Sequence, residues 1–241
     1  MKDKKGSIVL VVAVTVLALI GVLGVLMPRI MLNLLIQETL PEFVGAEYIT
    51  DFTMVADETF EVENEYFQAQ LPSGLEQEDE LKDLEEFVYR NNDSGLTIRI
   101  QNNASDVTMT VDDLDYQSLP ESYMHTSDES MLNSLGYATP DSYYNIMKCV
   151  SLLDAKDYDK WNMENMMAYS VYGSIRISLG EVENYLYERE DLYAYIQNPK
   201  NTGEYKLEIF RPEDLNTAYV VNLENATITD VTCLLNSIKL K

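Results

Sequence analysis

The chain has 241 residues with 41 acidic and 17 basic side chains, a formal charge of -24, one histidine and two cysteines. A single His125 excludes metal centres built on several imidazoles, and two cysteines cannot form a zinc finger or an iron–sulfur cage, so no metal is expected. The excess of carboxylates repels phosphate, which argues against a nucleic-acid partner, and the glycines form neither a Walker loop nor a GxGxxG turn, so no cofactor is expected either.

Residues 1–6 form a short basic tail in which Lys2, Lys4 and Lys5 oppose one Asp3. The following run, IVLVVAVTVLALIGVLGVLM at 8–27, has 17 apolar side chains and no charge, and twenty helical residues rise ~30 Å, the thickness of a bilayer core. The run predicts a transmembrane helix over 7–27 in contact with membrane lipid. Lysines ahead of it and acidic sequence behind it predict a cytoplasmic N-terminus, with the rest outside the plasma membrane. The apolar run exceeds a typical signal-peptide core and no small-x-small site closes it, so an uncleaved signal anchor is expected. Beyond residue 27 the chain retains 14 basic groups against 40 acidic ones, and twelve carboxylates face one Lys82 between Asp57 and Glu86. That stretch reads as a solvated face.

Residues 28–45 read as a juxtamembrane stalk helix, with Pro28 as a possible kink and Pro41 as its stop. A domain over 46–241 then opens with strand-like runs, YITDFTMV, TFEVE and EYFQAQL. In FVYRNNDSGLTIRIQ, two apolar-alternating runs flank Asn91 to Gly95, which predicts a hairpin with strands at 86–90 and 96–102. Thr139 and Pro140 read as the start of a helix carrying Tyr143, Ile146, Met147, Val150 and Leu153, and a second helix is predicted over 157–172. From Asn184, the runs NYLYERE, LYAYIQN, YKLEIF and AYVVNLE predict an antiparallel meander, followed by a helix capped by Thr229. The expected fold class is therefore α+β: a transmembrane helix, then an antiparallel sheet with flanking helices.

Candidate chemistry is sparse. Asp112, Asp113 and Asp115, and Asp154, Asp157 and Asp159, contain enough carboxyls for an acid–base pair, but both clusters fall where helix starts attract Asp. No nucleophile motif such as GxSxG accompanies His125, so no catalytic residue is assigned. Tyr185 and Tyr187 share one strand face, as do Tyr193 and Tyr195, making these four tyrosines the candidate binding patch; ordinary cross-strand packing is the competing reading. Cys149 and Cys233 fall on inward helix faces and are a possible disulfide if those helices touch, or else buried thiols.

YFQAQLPSGLE at 66–76 and LLNSIKL at 234–240 resemble the opening strand with its Pro-x-Gly turn, and the closing helix, of the PsbP and Mog1-like family, with Leu75 where relatives often carry Trp. The resemblance implies an α/β/α sandwich over roughly 66–241 and an accessory or binding role without shared catalytic residues. Lys4 to Ser7 and the following apolar run also resemble a prepilin leader, although Val11 stands where pilins place a glutamate. The expected function is a membrane-anchored extracytoplasmic binding or accessory module for a protein, peptide or envelope polymer. An envelope glycan hydrolase using carboxylates and a pilin-like subunit are the alternatives.

Overall fold

The computed structural model describes residues 24, 26–27, 29–38, 40–78, 86–101, 104–107, 142–180, 182–199 and 202–241. The chain enters through helical residues 29–37 (α1), which bury Ile36 and leave Met31, Leu34 and Leu35 exposed. After a short 3-10 turn at Leu40–Glu42 come β1 (Glu47–Tyr48), β2 (Thr59–Glu63), β3 (Phe67–Pro72), β4 (Glu76–Gln77), β5 (Glu86–Arg90), β6 (Thr97–Gln101) and β7 (Ser105–Asp106). Two helices follow, α2 (Tyr143–Leu152) and α3 (Met163–Ser178). The meander is β8 (Val182–Arg189), β9 (Leu192–Pro199), β10 (Tyr205–Arg211) and β11 (Asp214–Glu224), and α4 (Ile228–Ser237) and β12 (Lys239–Leu240) close the chain.

The main sheet runs β1-β8-β9-β10-β11-β6-β5-β4, with β7 also on β11, and β12-β3-β2 form a separate small sheet. Strands β8 to β11 pair as successive antiparallel neighbours, as their two-residue alternation requires. The hairpin of β5 and β6 turns through Asn91, whose side chain accepts from the amides of Asp93 and Ser94, with Gly95 at φ 76°.

One face of the main sheet packs against the small sheet and α4 through Ile98, Ile196, Leu207, Val221, Val231 and Leu235, all buried. The other face meets α2 through Tyr144, Met147, Leu186, Tyr195 and Phe210, and α1, α2 and α3 bury a further cluster around Met166 and Tyr169. Burying each large aliphatic side chain contributes ~1.5–3 kcal/mol, which is why most inward positions of the strands are apolar.

Three expectations are corrected. The sheet is mixed rather than antiparallel, giving a mixed α/β fold: β1 pairs parallel with β8 through Glu47 opposite Tyr185 and Tyr48 opposite Leu186. A parallel partner needs a long crossover, and more than a hundred residues separate these two strands. Among the described residues, no helix is long and apolar enough to cross a membrane, so the transmembrane helix expected over 7–27 is not an element of the described fold; most of that segment lies outside the described residues. The helix starts also move. Ser142 caps α2, Asn162 caps α3, and Thr227 caps α4 in a reciprocal capping box with Asp230, replacing the starts read at Thr139, 157 and Thr229.

Candidate functional site

Helix α3 begins where the Asn162 side chain accepts from the amides of Glu164 and Asn165. It ends as Gly180 takes φ 80°, a left-handed turn that sends the chain into β8. Halfway along, Gly173 presents no side chain, and Phe43 lies so close that an added Cβ would meet its ring at 3.0 Å. The Phe43 ring also stacks on Tyr169, so residues 43–46 are drawn down onto the last turns of α3 before joining the sheet as β1.

Arg176 fastens this arm. Its Nη1 donates to the carbonyls of Ser151 at 2.6 Å and Val150 at 3.3 Å, and its Nη2 donates to the carbonyl of Val44 at 2.6 Å. The Ala46 amide donates to the same Ser151 carbonyl at 2.8 Å, and the Gly45 amide to Asp154 Oδ2 at 3.3 Å. Arg176 is 7 % exposed, and burial pulls its pKa below the ordinary guanidinium value against the opposing effects of Tyr195 and Asp154. The charge survives at neutral pH because a guanidinium is so strong a base. Among the described residues, no carboxylate forms an ion pair with it.

Between this arm, the end of α3 and the start of β8 lies a pocket of about 360 Å³. Its walls include Phe43, Val44, Arg176, Ile177, Val182 and Asn184, with Glu47, Glu183 and Tyr185 also lining it. Strand β1 covers only Tyr185 and Leu186, so the first residues of β8 border the pocket instead of another strand.

Asn184 is 5 % exposed and shares the helix-covered face of β8 with Leu186. Its Oδ1 accepts from the Tyr195 hydroxyl at 2.8 Å, and Gln197 Nε2 in turn donates to that hydroxyl at 3.1 Å. Its Nδ2 is buried without a hydrogen-bond partner among the described residues. An unmatched buried donor costs ~1–3 kcal/mol; Arg29 Nε and Asn64 Nδ2 are unmatched as well, but neither of those residues lines the pocket, and Asn184 does. At the rim, the Tyr185 hydroxyl donates to Glu183 Oε2 at 3.1 Å, and burial together with this carboxylate pushes its pKa up to about 12.

The four tyrosines do not form one patch. Tyr185 and Tyr187 face the small-sheet side, whereas Tyr193 and Tyr195 lie opposite Glu188 and Leu186 on the helix side. Tyr187 and Tyr195 are fully buried, and of the four only Tyr185 lines the pocket. Cys149 and Cys233 are free thiols rather than a disulfide: Cys149 belongs to the helical cluster, and Cys233 lies on α4 across the sheet. Asp112, Asp113, Asp115 and His125 lie outside the described residues. Asp154 caps a 3-10 turn through the Lys156 amide, and the Asp159 carboxylate accepts from the Trp161 amide. No group of three or more metal-ligating side chains is found among the described residues.

No known family model and no curated protein matches this chain.

Proposed function

We propose that this protein is a binding module whose site is the pocket between the 43–46 arm, α3 and the start of β8. The observation that carries the reading is Asn184, a buried side chain with one end tied to Tyr195 and the other end unmatched in a pocket wall. A fold tolerates such a loss where a ligand restores the missing bond. The pocket volume of about 360 Å³ lies at the small end of the ~300–1,000 Å³ range for small-molecule sites, favouring a compact molecule over a polymer.

Ile177→Trp tests the assignment by filling the pocket from its half-exposed edge. Protein purified under mild conditions and then denatured should release a small molecule that is missing from the Trp variant at equal yield and equal melting temperature. Identical release from both proteins refutes the site. The proposal includes work outside the cytoplasm, for which the support is sequence alone: lysines ahead of an uncharged run and acidic sequence after it. Protease shaving of intact cells tests it, since an untouched domain means an internal location.

A further inference from the structure

Resting on that reading of the pocket, we infer that its ligand is a free apolar α-amino acid, held with its carboxylate inward and its ammonium at the rim. The polar groups of the pocket are sorted by sign and depth. Inside are donors: the unmatched Asn184 Nδ2, and Arg176, a buried cation that no carboxylate among the described residues pairs with directly, Asp154 acting on it only from beyond ion-pair distance. Arg176 has five N–H groups and donates three bonds to main-chain carbonyls, leaving donor capacity for an anion. A carboxylate supplies the acceptor that Asn184 Nδ2 lacks, and the negative charge that a buried guanidinium favours.

The exposed end is opposite in character. Glu47 and Glu183 are solvent-exposed carboxylates lining the same pocket, placed to receive an ammonium. Between the two ends, Phe43, Ile177 and Val182 supply an apolar wall, the complement of an aliphatic side chain. A fatty acid satisfies the inner end but faces two carboxylates at the rim. An amine satisfies the rim but leaves Asn184 Nδ2 unmatched. Only a molecule carrying both charges on adjacent groups answers both ends.

Isothermal titration of the full chain with L-leucine tests this, using 4-methylpentanoate, which lacks the ammonium, and leucinol, which lacks the carboxylate. Leucine is expected to bind at least tenfold more tightly than either analogue. Asn184→Asp keeps the oxygen that accepts from Tyr195 and replaces the inward donor with an anion, so it should weaken leucine at least tenfold and leucinol less. Glu183→Gln should weaken leucine while leaving 4-methylpentanoate unchanged or improved. Equal binding of all three compounds to the parent protein, abolished by Ile177→Trp, overturns the zwitterion but leaves the pocket as a binding site. No leucine binding at millimolar concentration also overturns the ligand class, while the release experiment independently decides whether the pocket binds anything.

Discussion

Replacing Asn184 with Leu and Tyr195 with Phe together should stabilise the ligand-free domain. The pair makes one hydrogen bond, from the Tyr195 hydroxyl to Asn184 Oδ1 at 2.8 Å, and leaves Asn184 Nδ2 unmatched. A buried unmatched donor costs ~1–3 kcal/mol, whereas a made hydrogen bond contributes a net ~0.5–1.5 kcal/mol. The double variant forfeits the second quantity and recovers the first, and both new side chains enter an environment that already buries Leu186 and Phe210. Gln197 Nε2 loses its acceptor, but its side chain is only partly buried and water reaches it. The net expectation is a gain of about 1 kcal/mol, which for a domain of this size raises the melting temperature by roughly 2–4 °C. Tyr195→Phe alone should be destabilising, because it leaves both ends of Asn184 unmatched. Urea unfolding of the parent, both single variants and the double variant measures the cycle and its coupling. A double variant less stable than the parent by 1 kcal/mol or more refutes the view that Asn184 is held at a cost to stability.

The two side chains that fasten the 43–46 arm, Arg176 and Asp154, each make a testable contribution. Arg176→Met should lower stability by about 2–4 kcal/mol in urea unfolding, because hydrogen bonds from a charged donor contribute ~1.5–3 kcal/mol each and relief from burying the guanidinium offsets part of the loss; a loss below about 1 kcal/mol shows that the arm is held by packing alone. At Asp154, burial raises the carboxyl pKa, but the amide and ammonium of Lys156 and the amide of Gly45 outweigh it, leaving the folded value below the ordinary 3.8. A lowered folded pKa stabilises fully above the unfolded value and is lost as pH falls through the folded one. The stability gap between the parent and Asp154→Asn should therefore be constant near neutrality and close below pH 3.8, and a gap that widens on acidification contradicts this coupling.

Local pattern made much of the sheet readable. The Asn91 to Gly95 turn declares its hairpin because amide side chains and glycine suit that backbone, and the strands from Val182 to Glu224 show their inward faces through two-residue alternation. Strand β1 has only two residues, far fewer than the strand-like run read at YITDFTMV, and its partner lies more than a hundred positions away, so local alternation gave neither its extent nor its parallel pairing, and with it went the mixed character of the sheet. Helix starts slipped by two to six residues because Ser142, Asn162 and Thr227 compete with nearby residues of equal capping ability.

The pocket was missed because Arg176 and Asn184 belong to no motif whose spacing points to a site. Yet a signal was present. Arg176 falls four positions after Tyr172 on the buried face of α3, and Asn184 falls two before Leu186 on the inward face of β8. A polar residue occupying an apolar register position is the mark of a group buried for a reason. The tyrosines misled for the converse cause, since alternation shows which residues share a strand face but not which layer covers that face.

Arg176 joins three stretches of backbone, the arm at Val44, the end of α2 and its own helix, through a single planar group. The guanidinium is thus both a wall of the cavity and the clasp on the segment through which the N-terminal part of the chain joins the sheet. Whatever shifts that clasp from inside reaches the incoming segment directly at Val44, three residues before β1. The fold therefore gives the pocket and the upstream sequence a common fastening, and loosening either one changes the purchase of the other.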